Sequence, residues 1–398
     1  MTVALVYSPR MAEYELPPGH PLRPERFSLT VELIESWGLL GDGAGTTLLE
    51  PTPASFADLL LFHSAPYVEH VTAAGAGMGG GDLRFGTGEG DTPAFPGMHE
   101  ASALIVGGTC LALDSVIDGR TRRSFAPAGG LHHAQRGRAS GFCIYNDCAV
   151  AIAKATVEHP GLRVAYVDID AHHGDGVQAA FYDRPDVLTV SVHESGQYLF
   201  PGTGSARETG EGAGEGFALN VPLPPHAGDD AFARVLEHTV LPALRAFRPD
   251  VIVAQVGADA HRDDPLTHLD LSVSGYVDCV RMLVSAADDL CEGRLAATGG
   301  GGYQPFSAVP RMWASAFAVL AGLPVPDTLP APWREAASAA SGGTAPVALR
   351  TFDDHASTVD ASLAEDVAHR VERVIEAVTA ASPLPGDEQG AADDPTAP

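Results

Sequence analysis

Eight ionisable residues and one tyrosine that together could do chemistry fall in four short patches of this chain. The patches are Gly129-Gly130-Leu131-His132-His133, Asp168-Ile169-Asp170-Ala171-His172-His173-Gly174-Asp175, Gly257-Ala258-Asp259 and Gly299-Gly300-Gly301-Gly302-Tyr303. The second is the densest and directly follows the apolar run Val164-Ala165-Tyr166-Val167, which reads as a buried strand. Burying that many ionisable groups without a metal or partners is costly. In an extended segment residues i, i+2 and i+4 share a face, so Asp168, Asp170 and His172 converge if the strand persists that far. Asp170 and His172 then make an Asp-x-His metal pair, and Asp259 supplies a third ligand from a distant segment. Three protein ligands with an open position suit a catalytic zinc rather than a structural one. Oxygen-rich ligation also suits Fe(II). A metal so held lowers the pKa of water to about 7 and polarises a carbonyl.

Hydrolysis of an amide further needs a base for the water proton and an acid for the leaving amine. The His132-His133 pair could supply both, with Asp168 and Asp175 available to orient the rings. Tyr303 follows four glycines, which let backbone approach a ligand closely, and its hydroxyl could donate to an oxyanion. Taken alone, Asp259 reads equally well as a helix cap or turn residue. The conjunction of the four patches is what is specific.

These patches must be delivered by a scaffold, and short β-branched runs alternate with longer amphipathic stretches. Candidate strands are 3–7, 164–170, 187–192, 251–256 and 295–298. Candidate helices are 25–37, 98–117, 147–157, 229–245, 273–290 and 309–320. Such alternation implies right-handed β-α-β units and a mostly parallel sheet, whose ligands sit beyond the carboxyl ends of the strands. The Asp168 cluster, Asp259 and the Gly299–Tyr303 run each follow a candidate strand. Past the repeating pattern, 336–347 reads as small-residue linker. Residues 363–381 read as an amphipathic helix with Val367, Val371, Val374 and Val378 on one face, and 383–398 as a disordered tail.

The chain has 398 residues, 45% hydrophobic, enough for one large α/β domain. Its 51 acidic and 24 basic residues give a formal net charge of -27. That balance argues against a nucleic-acid partner and against an anionic membrane surface. The five cysteines are scattered without C-x-x-C, so neither a disulfide framework nor a zinc finger is expected. The start lacks the basic residues and longer apolar run of a signal peptide, and a cytoplasmic location is expected. Gly75-Ala76-Gly77-Met78-Gly79-Gly80 is a formal G-x-G-x-x-G, but it does not open a helix, so a dinucleotide site is rejected.

Together with Ala139-Ser140-Gly141-Phe142-Cys143-Ile144-Tyr145-Asn146-Asp147 and Phe200-Pro201-Gly202-Thr203-Gly204, the four patches resemble the histone deacetylase superfamily. The resemblance runs from about residue 3 to about residue 323. Residues 137–147, 181–187 and 257–261 with 264–269 are most similar to bacterial acetoin-utilisation deacetylases of the AcuC type. The resemblance implies an arginase-like three-layer α/β/α sandwich around a mostly parallel sheet. It implies removal of acetyl from the side-chain amine of N-ε-acetyllysine in a protein or peptide, possible targets being acetylated acetate-activating enzymes. The metal ligands carry over to Asp170, His172 and Asp259, and the catalytic residues to His132, His133, Asp168, Asp175 and Tyr303. Phe142 and Phe200 match aromatics that line an acyl-lysine tunnel. Asp91 matches a rim aspartate that grips substrate backbone, Leu266 an apolar wall residue, and Gly141 and Gly301 further substrate contacts. Zn(II), with Fe(II) as the other option, is the implied metal. A structural potassium is implied near Asp168, Asp170, His172, Ser191 and Val192. No chemical position departs from the pattern.

The organisation this suggests is a catalytic domain over 1–323, a C-terminal extension with a helix over 324–382, and the tail. Two other substrate readings stand beside lysine deacetylation: an acetylpolyamine deacetylase, which an acidic surface would favour, and a catalytically silent acetyl-lysine binder. A ureohydrolase would need a second ligand set for a paired metal centre, and only one is apparent. The oligomeric state is not legible.

Overall fold

The computed structural model describes residues 2–88, 90–343 and 348–381. The tail expected over 383–398 lies outside the described residues. Eight strands form one sheet: β1 (Val3–Val6), β2 (Thr46–Leu49), β3 (Arg123–Ala126), β4 (Val164–Asp168), β5 (Val187–Glu194), β6 (Ala218–Leu223), β7 (Val251–Gln255) and β8 (Leu295–Thr298). Every pairing is parallel, in the order β2-β1-β3-β8-β7-β4-β5-β6. Residues on both faces of β1, β3, β4, β5, β7 and β8 are buried. That is the signature of a parallel sheet covered on each side.

Two helix groups supply the cover. Met98–Ile117 packs on Asp147–Glu158, and Ala308–Leu320 packs between Glu25–Ser36 and Val273–Cys291. The fold is the α/β/α sandwich expected from the sequence. Met98–Ile117 is the one helix among the described residues long and apolar enough to cross a membrane, yet 72% of its apolar window is buried inside the protein. Its apolar residues are thus accounted for by core packing.

Strand order decides where chemistry collects. The chain winds outward through β4, β5 and β6, then returns to insert β7 and β8 between β4 and β3. The strands that precede the four patches, β3, β8, β7 and β4, are therefore consecutive neighbours at the middle of the sheet. Their carboxyl ends are in register: Ala126 pairs with Thr298, Thr298 with Gln255, and Gln255 with Asp168. The crevice beyond such ends is where ligands bind in open α/β sheets.

Some local expectations change. Strand β4 stops at Asp168, not at 170, because side chains cap its end. The Asp168 Oδ1 atom accepts the Asp170 N–H at 3.0 Å, and Asp170 Oδ1 accepts the His172 N–H at 3.0 Å. These two successive Asx-type turns replace extended backbone. The helix expected over 229–245 contains a π-helical turn, Leu236–Val240, between Asp229–Val235 and Leu241–Phe247. Where linker was expected from residue 336, a helix runs over Ala331–Ala340. Its alanines favour helix, and Trp333 anchors it by donating from Nε1 to the Leu29 carbonyl at 2.8 Å. The amphipathic helix near the end spans Ala361–Ala381, with Val367, Val371 and Val378 buried and Val374 partly so. It packs on the edge strand β6.

Candidate active site

Beyond β3 the chain turns through Gly129 and Gly130 and presents His132 and His133. Asp147, fully buried at the start of the next helix, fixes this turn by accepting the N–H groups of Gly130 and Leu131 at 2.9 and 2.7 Å. Each histidine is bound to its own carboxylate. His132 Nδ1 lies 2.8 Å from Asp168 Oδ2, and His133 Nδ1 lies 2.7 Å from Asp175 Oδ1. The two Nε2 atoms face each other at 3.1 Å, so one N–H must lie between them. Burial pushes both rings toward neutrality. At His132 the adjacent Asp168 and Asp170 outweigh it and raise the pKa to about 9, whereas burial and then the His132 charge push His133 down to about 4. With each Nδ1 on its own carboxylate, the two Nε2 atoms are left to share and exchange a proton. The buried Tyr166 and the half-buried Gln135, which no motif in the sequence marks, support the carboxylates. Tyr166 donates to Asp168 Oδ2 at 2.6 Å, and Gln135 Nε2 donates to Asp175 Oδ2 at 2.8 Å.

Asp170, His172 and Asp259 are buried, and one ligand atom from each lies within 4.8 Å of the others. His172 Nδ1 is 2.8 Å from Asp259 Oδ2 and 3.2 Å from Asp170 Oδ1. Burial, and then Asp170, push Asp259 up to about 6, as expected for two carboxylates sharing one dry site. A divalent cation would relieve that repulsion, and a two-oxygen, one-nitrogen donor set suits one. The carboxylates are further oriented from behind. Gln255 Nε2 and the Gly301 N–H both donate to Asp170 Oδ2, at 2.7 and 2.6 Å, and the Ala171 N–H donates to Asp259 Oδ1 at 2.8 Å. Gln255 is the last residue of β7, and the sequence reading took it only as strand.

The glycine run beyond β8 brings Tyr303 to the same crevice, its ring centre 6.4 Å from that of His172. Gly301 has to be glycine, because a Cβ there would stand 1.9 Å from Asp259 Oδ2. The loop is held from below by the buried Arg26, whose Nη1 donates to the carbonyls of Gly300 at 2.8 Å and Gly302 at 3.2 Å. Burial, and then Asp259 and Asp170, raise the Tyr303 phenol well above its ordinary range, so it stays a donor.

Aromatic rings flank this centre. Phe142 packs edge-on to Tyr303 at 5.7 Å, and Phe200 packs edge-on to His133 at 5.0 Å. Phe142 has a left-handed φ of 68°, which is strained for a bulky residue. The Thr92 hydroxyl accepts its N–H at 2.9 Å and Tyr14 donates to its carbonyl at 2.6 Å, so neighbours over-determine that turn. Gly141 lies against the His133 ring, and its N–H donates to Asp91 Oδ2 at the exposed rim, at 3.1 Å. Leu266 is half-buried. Its N–H and that of Tyr303 both donate to the buried Asp264, at 3.0 and 2.8 Å. Asp264 thereby ties the Leu266 loop to the Tyr303 loop, and no spacing in the sequence marked it. The residues expected near a potassium also sit together: Asp168 pairs with Ser191 across β4 and β5, with Val192 next along.

The structure therefore gathers His132, His133, Asp168, Asp175, Asp170, His172, Asp259 and Tyr303 at one crevice, with Phe142 and Phe200 beside them. His63 is a buried, hydrogen-bonded core histidine, bound to the Gln135 carbonyl and the Asn146 N–H. The His268 side chain is 58% exposed and pairs with the buried Glu194.

Comparison with known proteins agrees with this arrangement. The Histone deacetylase domain family matches residues 20–320. The "Acetoin utilization protein AcuC" of Bacillus subtilis (strain 168) is 43% identical over 330 residues, covering 82% of this chain and 84% of that protein. The protein of the same name from Staphylococcus aureus (strain MRSA252) is 38% identical over 333 residues, covering 83% and 85%. Among solved structures, an HDAC homolog complexed with SAHA aligns with a TM-score of 0.81 at 30% identity, over 94% of this chain and all of that one. An HDAC homolog from Aquifex aeolicus aligns at 0.78 and 30% identity over the same shares. A parallel sheet whose central strands converge on an Asp-His-Asp triad, and relatives of this extent, place the chain in the histone deacetylase family as a homologue of the acetoin utilization protein AcuC.

Proposed function

We propose that the protein is a metal-dependent lysine deacetylase that hydrolyses the acetyl amide of N-ε-acetyllysine to acetate and lysine. One observation carries the reading. The buried Asp170-His172-Asp259 triad faces a pair of histidines, each held by its own carboxylate, with a protonated tyrosine nearby. Asp170, His172 and Asp259 would hold a divalent cation, Zn(II) or Fe(II). When bound, that ion supplies Lewis-acid activation of the amide carbonyl and of a water molecule.

The chain's own residues do the rest. The Phe142 and Phe200 rings enclose the lysine stem, whose four methylenes gain roughly 0.8 kcal/mol each on leaving water. Tyr303 donates to the oxygen that becomes negative as water attacks the carbonyl carbon. The His132-His133 pair accepts the water proton at one Nε2 and returns a proton to the nitrogen as the C–N bond breaks. Asp168 and Asp175 hold the imidazoles in the tautomer that leaves Nε2 for this exchange and stabilise the charge that forms there. Asp91 and Gly141 lie at the rim, where substrate backbone would dock.

The test is acetate release from an acetyl-lysine peptide with the enzyme as isolated, after chelation, and after Zn(II) or Fe(II) is restored. Release that vanishes with chelator and returns with metal is the expected result. The net charge of -27 favours a second reading, an acetylpolyamine substrate. Turnover of acetylpolyamine but not peptide would select it. Peptide binding without any acetate release would instead mark a silent acetyl-lysine binder.

A further inference from the structure

The described C-terminal residues run back across the rim of the crevice and grip two of its loops. Residues 351–357 lie along the loop between Asp259 and Val273. Asp354, whose side chain is 7% exposed, is bound on three sides. Its Oδ1 meets His261 Nε2 at 3.0 Å and Arg311 Nη1 at 2.9 Å, and its Oδ2 accepts the Val273 N–H at 2.8 Å. Arg311 is itself buried and donates onward to the Thr351 carbonyl at 2.9 Å. His355 Nδ1 lies 2.9 Å from Asp263 Oδ1, Arg262 Nη1 donates to the His355 carbonyl at 3.2 Å, and Ser357 donates to Asp270 Oδ2 at 2.5 Å. Four residues of one loop, His261, Arg262, Asp263 and Asp270, are thus bound by one strap, and that loop carries Asp264 and Leu266.

The helix Ala361–Ala381 then packs on β6 and on the helical segments Asp229–Val235 and Leu236–Val240. Its Val367, Val371 and Val378 are buried, and Arg234 pairs with Glu372 at 2.5 Å. Arg370 sits over the Tyr198 ring at 5.9 Å, and its Nη2 donates to the Tyr198 hydroxyl at 3.3 Å. Tyr198 is two residues before Phe200. The strap and the helix therefore contact the two loops that carry Leu266 and Phe200.

We infer that residues 351–381 are a clamp that positions the Phe200 and Leu266 loops, with His355, Ser357 and Arg370 as positioning residues that set how tightly the acyl-lysine stem is enclosed. The inference rests on the tunnel roles proposed above for Phe200 and Leu266. Each loop also has bonds of its own, Tyr303 N–H to Asp264 and Thr267 to the Asp259 carbonyl in one and Thr203 with His173 in the other. Losing the clamp removes the tether on one side of each, and a less tethered loop opens locally at lower cost. A looser wall weakens stem binding while His132 and His133 stay held by Asp168 and Asp175, and the Tyr303 loop keeps both Arg26 and its bond to Asp264, which none of the variants below removes.

The experiment uses the full chain with metal loaded. His355→Ala/Ser357→Ala changes exposed side chains and Arg370→Ala a half-buried one, and all leave the buried Arg311 and Asp354 paired. Hydrogen exchange is followed over 195–203 and 260–270, and KM and kcat are measured on an acetyl-lysine peptide. The expected result is faster exchange in 260–270 for the double variant and in 195–203 for Arg370→Ala. KM should rise roughly threefold to tenfold with kcat nearly unchanged, and His355→Asn, made in a chain with Ser357 intact, should keep KM near the wild-type value. Unchanged exchange in both loops, or faster exchange confined to 351–381 with KM unchanged, overturns the clamp. If the wild-type chain releases no acetate, the proposed activity fails separately and the exchange data alone decide the clamp.

Discussion

Replacing Gly301 by alanine should strike the triad through a single methyl group. The added Cβ would lie 1.9 Å from Asp259 Oδ2, 2.5 Å from its Cγ and 3.0 Å from Asp170 Oδ2. To restore ordinary contact near 3.4 Å, the Asp259 oxygen must retreat by about 1.5 Å, or the glycine loop must. The loop has little room to give way. Its Gly301 N–H is spent on Asp170, its Gly301 carbonyl accepts the Ala258 N–H at 2.8 Å, and Arg26 grips the carbonyls on either side. The φ of Gly301 is not in the left-handed region, so backbone strain does not confuse the result. Asp259 should therefore yield, and His172 Nδ1 loses the partner now 2.8 Å away. A misplacement of about 1 Å at a reacting centre costs on the order of 100-fold in rate, and disturbance of groups around a metal typically costs about 10- to 100-fold in affinity.

The assay is metal affinity by chelator competition, run beside acetate release and a circular dichroism melt. Metal affinity and turnover should both fall by about two orders of magnitude, while the fold is retained. A Gly301→Ala protein that binds metal and turns over like wild type would show that Asp259 is not held where a ligand must be. Gly302→Ala is a poor substitute for this experiment, because its φ of 145° adds strain of its own.

Gln255→Leu removes the 2.7 Å hydrogen bond to Asp170 at nearly constant volume, so metal affinity should drop by about 10- to 100-fold; unchanged affinity would make Gln255 a strand residue only. Tyr303→Phe should lower kcat by about 100- to 1,000-fold with metal content intact, and normal turnover would remove Tyr303 from the oxyanion role. Asp354→Asn should alter acid stability. Although burial alone would raise it, the adjacent His261 and Arg311 hold the Asp354 carboxyl at about 2 in the folded chain, below its ordinary 3.8. Its contribution is therefore present above pH 3.8 and is lost as pH falls through about 2. Over that window the wild-type melting temperature should fall more steeply than that of Asp354→Asn, and parallel curves would refute the coupling.

What could be foreseen, and what could not, divides by whether a residue's meaning depends on its neighbours in sequence or in space. Asp170 and His172 stand two apart in a segment so charged that burial demanded a cation or partners, and that demand is visible in the order of residues alone. The sheet was foreseeable where strands are β-branched, as in β4, β5 and β7. It was not where buried polar groups are satisfied from afar. Strand β3 contains Arg123 and Ser124, which look like surface residues until Arg123 Nη1 is seen to reach the Leu320 carbonyl at 3.0 Å and Ser124 the Ala112 carbonyl at 2.9 Å. Strand β6 contains Pro222, tolerated because this is an edge strand.

The same distinction separates the metal ligands from the groups that aim them. Gln255, Asp264, Tyr166 and Arg26 are each a single polar residue inside an element whose pattern already has a reading. Gln255 ends a strand, Arg26 lies in a helix, Tyr166 sits mid-strand, and Asp264 follows a turn. Their function appears only when β8, β7 and β4 are set side by side, because Gln255 bonds Asp170 and Arg26 bonds Gly300 from more than eighty positions away, Asp264 bonds Tyr303 from thirty-nine, and Tyr166 bonds one face of a strand end that the sequence left ambiguous. Asp264 makes the point most sharply. Its two oxygens accept the N–H of Leu266, two residues on, and of Tyr303, thirty-nine residues on. The first bond is an ordinary turn and predicts nothing; the second joins the wall of the crevice to its oxyanion donor. Changing Asp264 to alanine would leave both N–H groups without their acceptor, and the half-buried loops they belong to would be free to separate. Composition cannot express such a link, and only the return of β8 between β7 and β3 creates it.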